Sequence, residues 1–272
     1  MTGEKVALVT GASSGIGRAT AALLAGQGFR VFGTMRNPNG KNGRLRNVEV
    51  LPLDVRDEES VRLCLQTVLR LAGRVDALVN NAGYTLIGSS EETSVEEAKE
   101  LFDTNFFGVL RMSRAVLPVM REQGTGRIAN IGSVVGFLPA PYQGIYAASK
   151  HALEGYSESL DHEVRQFGIR VSVIEPGFTR TDIAANGQLV SQPLATYASE
   201  RDHVVAAVRE SIAKGEEPSR VALVVLEALT VPSPRHRYLA GRNAKFVSRL
   251  RKFAPPSIFD KGLRKQFKLA TA

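Results

Sequence analysis

The chain has 272 residues, 43% of them hydrophobic and 23% charged, which suits a globular protein with a full core rather than a disordered or fibrous one. No run reaches the 18 apolar residues of a membrane-spanning helix; the nearest, 221–231, is interrupted by Glu227. The net charge of +8 sits at one end: residues 235–272 carry 11 Lys and Arg against a single acid, Asp260, and the rest of the chain is close to neutral, so the overall charge gives no ground for a nucleic-acid-binding body.

Residues 5–10 (KVALVT) are a short apolar, β-branched run of the buried-strand kind. The run begins so early that it leaves no room for a signal peptide. The lone Cys64 excludes an internal disulfide and fits a reducing compartment, so the expectation is a cytoplasmic protein. Residues 11–17 (GASSGIG) follow the first strand directly and open a helix over 18–28. Strands are predicted at 30–35 and 48–55, then a helix capped by Asp57 and running to 72, then a strand at 75–80 closed by Asn80-Asn81-Ala82-Gly83. Ser94 caps a long helix to about 121. A strand at 127–131 stops just before Ser133, a helix carries Tyr146 and Lys150 to about 166, and a strand at 169–175 is broken by Pro176-Gly177. The alternation predicts an α/β fold: a single Rossmann-type, doubly wound parallel sheet with helices on both faces and its ligand at the carboxyl ends of the strands. Residues 178–217, with a helix over about 199–214, read as a substrate lid. A helix at 219–230 and a strand at 237–240 complete a catalytic domain of residues 1–241, and 242–272 form a basic, amphipathic helical extension of it.

Glycines at 11, 15 and 17, after a strand and opening a helix, make a phosphate turn: the backbone can approach a pyrophosphate, and the helix N-terminus supplies free N–H groups. The residue that separates NAD from NADP is expected at the end of the second strand. Met35 and Arg36 stand there with no acid beside them, and Arg36 favours a ribose 2′-phosphate, hence NADP(H) over NAD(H). Tyr146 and Lys150 are four residues apart and share one helical face. An ammonium about 4 Å from the phenol oxygen is worth roughly 4 kcal/mol at an effective dielectric of about 20. That is about three pKa units, enough to bring a tyrosine near its working range.

Thr10-Gly11-Ala-Ser-Ser-Gly15-Ile-Gly17, Asn80-Asn81-Ala82-Gly83, Ser133 and Tyr146-x-x-x-Lys150 stand in one order, and over residues 5–181 the chain closely resembles the classical short-chain dehydrogenases/reductases. The lid and Phe-rich tail are most similar to the bacterial 17-beta-hydroxysteroid-dehydrogenase-like subgroup. The resemblance implies that Tyr146 is the general acid/base, that Lys150 lowers its pKa and holds the nicotinamide ribose, and that Ser133 hydrogen-bonds the substrate oxygen. It further implies that Asn105 positions a water linking Lys150 to solvent, that Asp54 and Val55 contact the adenine, and that Asn81 lies beside the ribose. The turn residues Ser13, Ser14 and Ile16, the loop residues Ala82 and Gly83, and Pro176, Gly177, Thr179 and Thr181 near the nicotinamide complete the implied cofactor contacts.

The residues after Ser133 and in the lid, among them Leu138, Tyr142, Phe178, Leu189, Leu194 and Tyr197, either line an apolar pocket or pack the lid onto the body. An apolar pocket implies a lipophilic ketone or secondary alcohol, a steroid among the candidates. A different class of function, a catalytically silent NADP(H)-binding sensor or scaffold, would require the loss of a catalytic residue, and none is lost. In the tail, Phe246, Leu250 and Phe253, then Phe259, Leu263 and Phe267, repeat apolar positions at helical spacing among Lys and Arg. Such a face docks on its own domain or a neighbouring subunit, lies on an anionic membrane, or meets an acidic partner. The resemblance favours a homo-oligomer and no nucleic-acid partner. His151, His162, His203 and His236 lack metal-ligand spacing, so no metal is expected, and Cys64 reads as core.

Overall fold

The computed structural model describes residues 4–40, 43–181 and 188–269. Seven parallel strands form the main sheet: β1 (Val6–Val9), β2 (Arg30–Met35), β3 (Glu49–Pro52), β4 (Ala77–Asn80), β6 (Gly126–Ile131), β7 (Ile169–Pro176) and β9 (Arg237–Ala240), in spatial order β3-β2-β1-β4-β6-β7-β9. The order reverses between β1 and β4, and that switch point opens a crevice at their carboxyl ends. Two short strands that the sequence does not announce, β5 (Leu86–Ile87) and β8 (Gln188–Leu189), pair in parallel beside the lid. Residues 182–187 of the expected lid lie outside the described residues.

Helices cover both faces. α2 (Glu58–Ala72), α4 (Gly108–Gln123) and α5 (Gly144–Val164) bury Cys64, Val68, Met112, Val116 and Leu160 against one face. α1 (Gly15–Gly26) and α7 (Pro218–Thr230) bury Ala21, Leu24, Val221 and Val225 against the other. The alternating pattern dictates this arrangement, because a parallel sheet exposes two apolar faces and each must be roofed. Cys64 lies in the first core, where burial pushes its thiol up to about 11.

The capping signals act as expected: the Asp57 carboxylate accepts from the Glu59 N–H, and Ser94 forms a reciprocal capping box with Glu97. The helix predicted from Ser94 runs on to Gln123 but is not uniform. α3 (Val95–Phe102) passes into a π-helical turn at Asp103–Phe107 and then into α4. That turn holds Asn105, whose amide bonds the backbone of the neighbouring loop in place of a regular helical surface.

Beyond β7, α6 (Ala198–Ala213) forms the ordered part of the lid. The tail is helical, as α8 (Arg242–Phe253) and α9 (Pro256–Gln266), and docks Leu250, Phe259, Leu263 and Phe267 of its apolar stripe on its own domain, whereas Phe246 and Phe253 stay exposed. Phe259 packs with Val134 and Leu138, and Phe267 with Ala147, Val208 and Ile212.

Candidate active site

β1 delivers the chain into a turn whose glycines are sterically required. Gly11 and Gly15 have φ of +66° and +54°, in the left-handed region that favours glycine. A Cβ on Gly17 would come 2.3 Å from the Gly11 carbonyl oxygen, so α1 crosses the turn only because no side chain is present. Ser14, the N-cap of α1, is extended and makes no side-chain cap bond, which leaves the first N–H groups of the helix facing the crevice. The turn is tied to β4 through Thr10 and Asn81. The Asn81 and Ala82 N–H groups donate to the Thr10 hydroxyl at 2.9 and 3.0 Å, and the Asn81 amide donates to the carbonyls of Thr10 and Gly11.

In front of this turn lies a cleft of about 680 Å³. Gly11, Ser13, Ser14, Gly15, Ile16, Arg36, Asp54, Val55, Asn81, Ala82, Gly83 and Thr181 all line it, as the sequence leads one to expect. Gly17 does not, because it is buried in the helix–turn contact. Arg36 is exposed and forms no close ion pair among the described residues; Asp54, whose charge it feels, is held by Arg56 at 2.7 Å. The Arg56 guanidinium bonded to Asp54 keeps that carboxyl below the usual carboxylate range. The positive-φ glycines, the open N-terminus of α1 and the unpaired guanidinium fit a phosphate-bearing dinucleotide.

A second cavity of about 140 Å³ adjoins the first and shares Ile16, Asn81, Gly83, Tyr84 and Thr181 with it. Ser133, Tyr146 and Lys150 meet on its wall, beside Pro176, Gly177, Phe178 and Thr179. The end of β6 places Ser133, and the first turns of α5 place Tyr146 and Lys150. The Ser133 hydroxyl accepts from the Val135 N–H at 3.3 Å and stands beside the Tyr146 phenol, whose proton affinity it lowers. Lys150 is buried, its Nζ donating to the Ile131 carbonyl at 2.8 Å and lying 5.9 Å from the centre of the Tyr146 ring.

The electrostatics differ from the helical-face expectation. Burial pushes Tyr146 up to about 12, opposed by the Ser133 hydroxyl, and pulls Lys150 down to about 8, opposed by the Glu154 carboxylate. Loss of water around both groups outweighs their mutual attraction, because the ammonium is turned to the Ile131 carbonyl.

Other expected positions also differ. Asn105 is 1% exposed and lines neither cavity. Its Oδ1 accepts from the Tyr84 N–H at 3.0 Å, and its Nδ2 donates to the Tyr84 carbonyl and the Ser149 hydroxyl, so its side chain braces the loop after β4. Leu138 packs under the tail with Phe259. Tyr142 adopts a φ of +58° and turns its hydroxyl to Glu200, away from the catalytic wall. Leu189 and Leu194 are exposed, and the Tyr197 hydroxyl donates to Glu91; of the lid residues named above, only Phe178 reaches the cavity. The apolar wall comes from Val134, Val135, Val208, Ile212 and Phe267 instead. Phe267 had a signal in the i, i+4 repeat of the tail, but nothing local says which surface that stripe meets. Among the described residues no group of His, Cys, Asp and Glu could hold a metal ion, and no helix is long and apolar enough to cross a membrane.

The comparisons agree with this geometry. The profile of the family described as short chain dehydrogenase matches residues 5–189. The 3-ketodihydrosphingosine reductase of Bacteroides thetaiotaomicron is 44% identical over 182 residues, covering 67% of this chain and 66% of the reductase. Retinol dehydrogenase 8 of Bos taurus is 37% identical over 252 residues, covering 85% of this chain and 79% of that one. A short-chain dehydrogenase structure from Streptomyces avermitilis superposes with a TM-score of 0.80 at 36% identity, over 97% of this chain and 98% of that one. Two further structures hold different nucleotides. A short-chain dehydrogenase/reductase from Burkholderia phymatum in complex with NAD has TM-score 0.80 and 28% identity, over 92% and 93% of the two chains. A serine dehydrogenase complexed with NADP+ has TM-score 0.73 and 28% identity, over 86% and 93%. With its motifs in order, its sheet and both cavities in place, this chain belongs to the short-chain dehydrogenase family.

Proposed function

We propose that the protein is an NADP(H)-dependent oxidoreductase interconverting a ketone and a secondary alcohol on a lipophilic substrate. The observation that carries this reading is the convergence of Ser133, Tyr146 and Lys150 on an apolar cavity that adjoins the glycine-turn cleft. When bound in the cleft, the nicotinamide supplies or accepts the hydride. Tyr146 hands its phenolic proton to the substrate oxygen, and the Ser133 hydroxyl hydrogen-bonds that oxygen as charge develops on it. Tyr146 is protonated at neutral pH and so has a proton to give, but burial raises its proton affinity and opposes that transfer. The buried Lys150 charge favours the phenolate that remains. The unpaired Arg36 supports a 2′-phosphate and therefore NADP(H).

The walls from Val134, Val135, Phe178, Val208, Ile212 and Phe267 support an apolar substrate. At about 140 Å³ the cavity is small beside the about 300–1,000 Å³ of typical ligand pockets, which favours a slender chain entering by its carbonyl end over a rigid polycycle such as a steroid. Assembly as a homo-oligomer in the cytoplasm belongs to the same proposal. The deciding experiment follows NADPH absorbance against aliphatic ketones of rising length, steroid ketones and small polar ketones. Turnover that rises with chain length supports the reading. Equal turnover of polar and apolar ketones overturns the apolar-pocket part, and tight NADPH binding with no turnover of any ketone overturns the enzyme in favour of a sensor.

A further inference from the structure

α8 presents three distinct sides. Ala244 and Val247 face the body, and Arg251, itself exposed, lies over the Phe259 ring of α9. Lys245, Arg249 and Lys252 stand at i, i+4 and i+7 and form one exposed stripe. Phe246 and Phe253 form a ridge directly beside it, 63% and 74% exposed. Behind the cationic stripe, between α7, β9 and α8, lies a cavity of about 660 Å³ that is separate from both cavities of the active site. Its carboxylates are already engaged: Glu227 with Arg235 at 3.0 Å, and Glu175 with Arg237 at 2.9 Å. Lys245, Arg249, Arg251 and Lys252 also line it and form no ion pair among the described residues, with Lys252 Nζ lying 5.5 Å from the centre of the Phe253 ring. The positive charge of this corner is therefore uncompensated from within.

We propose that this face of α8 docks on an anionic phospholipid membrane, with a lipid phosphate group in the cationic cavity and the rings of Phe246 and Phe253 inserted at the headgroup–acyl boundary. The phosphate chemistry follows from Lys245, Arg249 and Lys252 converging on one cavity. The bilayer, rather than a soluble phosphate, follows from the two exposed rings beside it, because an apolar ridge along a cationic stripe matches the lipid interface and has no use in water. A second copy of this chain fits poorly, since a two-fold contact would set cations against cations. The inference goes beyond the proposed reaction, but one consequence rests on it: α9 follows α8 directly and ends at Phe267 in the substrate cavity, so a membrane-bound protein holds that cavity close to a store of lipophilic substrate.

The test uses full-length protein and vesicles of phosphatidylcholine with and without phosphatidylglycerol. Pelleting should be at least about tenfold greater with phosphatidylglycerol and should weaken with salt. The triple variant Lys245→Glu, Arg249→Glu, Lys252→Glu should lose it, and Phe246→Ser with Phe253→Ser should reduce it several-fold, both keeping the wild-type melting temperature and NADPH binding. Equal pelleting with phosphatidylcholine alone, or undiminished pelleting of the triple variant, overturns the proposal. If inorganic phosphate raises the melting temperature of wild type but not of the triple variant while no vesicle is bound, the cavity is a soluble-anion site and the membrane is wrong. A change of oligomeric state in the triple variant without vesicle binding makes the face an interface between copies, which also overturns it. Because pelleting is read without any ketone, failure of the reductase assignment leaves this result intact.

Discussion

Tyr146 is half-buried on the cavity wall beside Ser133, and the loss of water around its phenol raises its proton affinity. Removing the phenolic oxygen in Tyr146→Phe keeps the ring and its packing but deletes the proton. Steady-state turnover should fall about 10²–10⁴-fold while NADPH binding, read by fluorescence, stays close to wild type. A variant that binds the cofactor and still turns over at near the parental rate would refute the assignment. At the other end of the crevice, Arg36→Ser removes the one unpaired guanidinium expected at the ribose. A charge-assisted hydrogen bond is worth about 1.5–3 kcal/mol, so KM for NADPH should rise about 10–100-fold while that for NADH hardly moves. A parallel change for both nucleotides would show that Arg36 does not read the phosphate. The identities of these residues were legible in the sequence because each motif fixes backbone geometry locally: glycines for a tight turn, a four-residue spacing for a shared helical face. Their proton affinities were not, because these depend on how much water the surrounding walls exclude, and that is settled by elements far apart in the chain.

Elements, rather than single residues, explain Glu154. α5 places it one turn beyond Lys150, and β7 places Glu175 opposite it, with Arg237 of β9 reaching both at 2.9 Å. A Cβ on Gly132 or Gly136 would approach the Glu154 Oε1 to 2.9 or 2.8 Å, so the loop bearing Ser133 wraps the carboxyl closely. Burial, reinforced by the Glu175 charge, pushes Glu154 up to about 8. A carboxyl raised in the folded state binds more protons there than in the unfolded chain, so its contribution to stability is fully present below its ordinary value near 4.5 and declines as pH rises through about 8. Glu154→Gln removes that titration. Melting temperatures taken from pH 5 to 9 should fall less steeply for the variant than for wild type, and identical slopes would show that the carboxyl does not titrate as described. The helix itself was legible in its apolar period and the strand in its β-branched run, but the meeting of two acids was not. It needs α5 laid on β7, and the Arg237 that reaches both acids comes from β9, about 60 positions beyond Glu175. The π turn at Asn105 escaped for a related reason: it coincides with the pairing of the Asn105 amide with the Tyr84 backbone, which the loop after β4 brings from about 20 positions away.

At the scale of the whole molecule, the tail packs on the segment after β6, the start of α5 and the lid helix. Its stripe was visible in sequence as a repeat of Phe and Leu at helical spacing, and docking on the chain's own domain was one of the outcomes that pattern allowed. What pattern alone could not give was the surface it meets. Phe267→Ala strips a large apolar side chain from the cavity wall, and burial of such a group is worth about 1.5–3 kcal/mol. KM for a long-chain ketone should rise at least about tenfold, with turnover of a short one little changed; equal effects on both would place Phe267 outside the substrate's reach.

That placement separates two kinds of heritable change. The residues proposed for hydride and proton transfer, Ser133, Tyr146 and Lys150, fall inside the stretch shared with the family at large, residues 5–189, whereas Val208, Ile212 and Phe267 come from the part that follows it. A duplicated gene could therefore acquire a new appetite by drifting only in its last third, leaving the reaction itself unaltered.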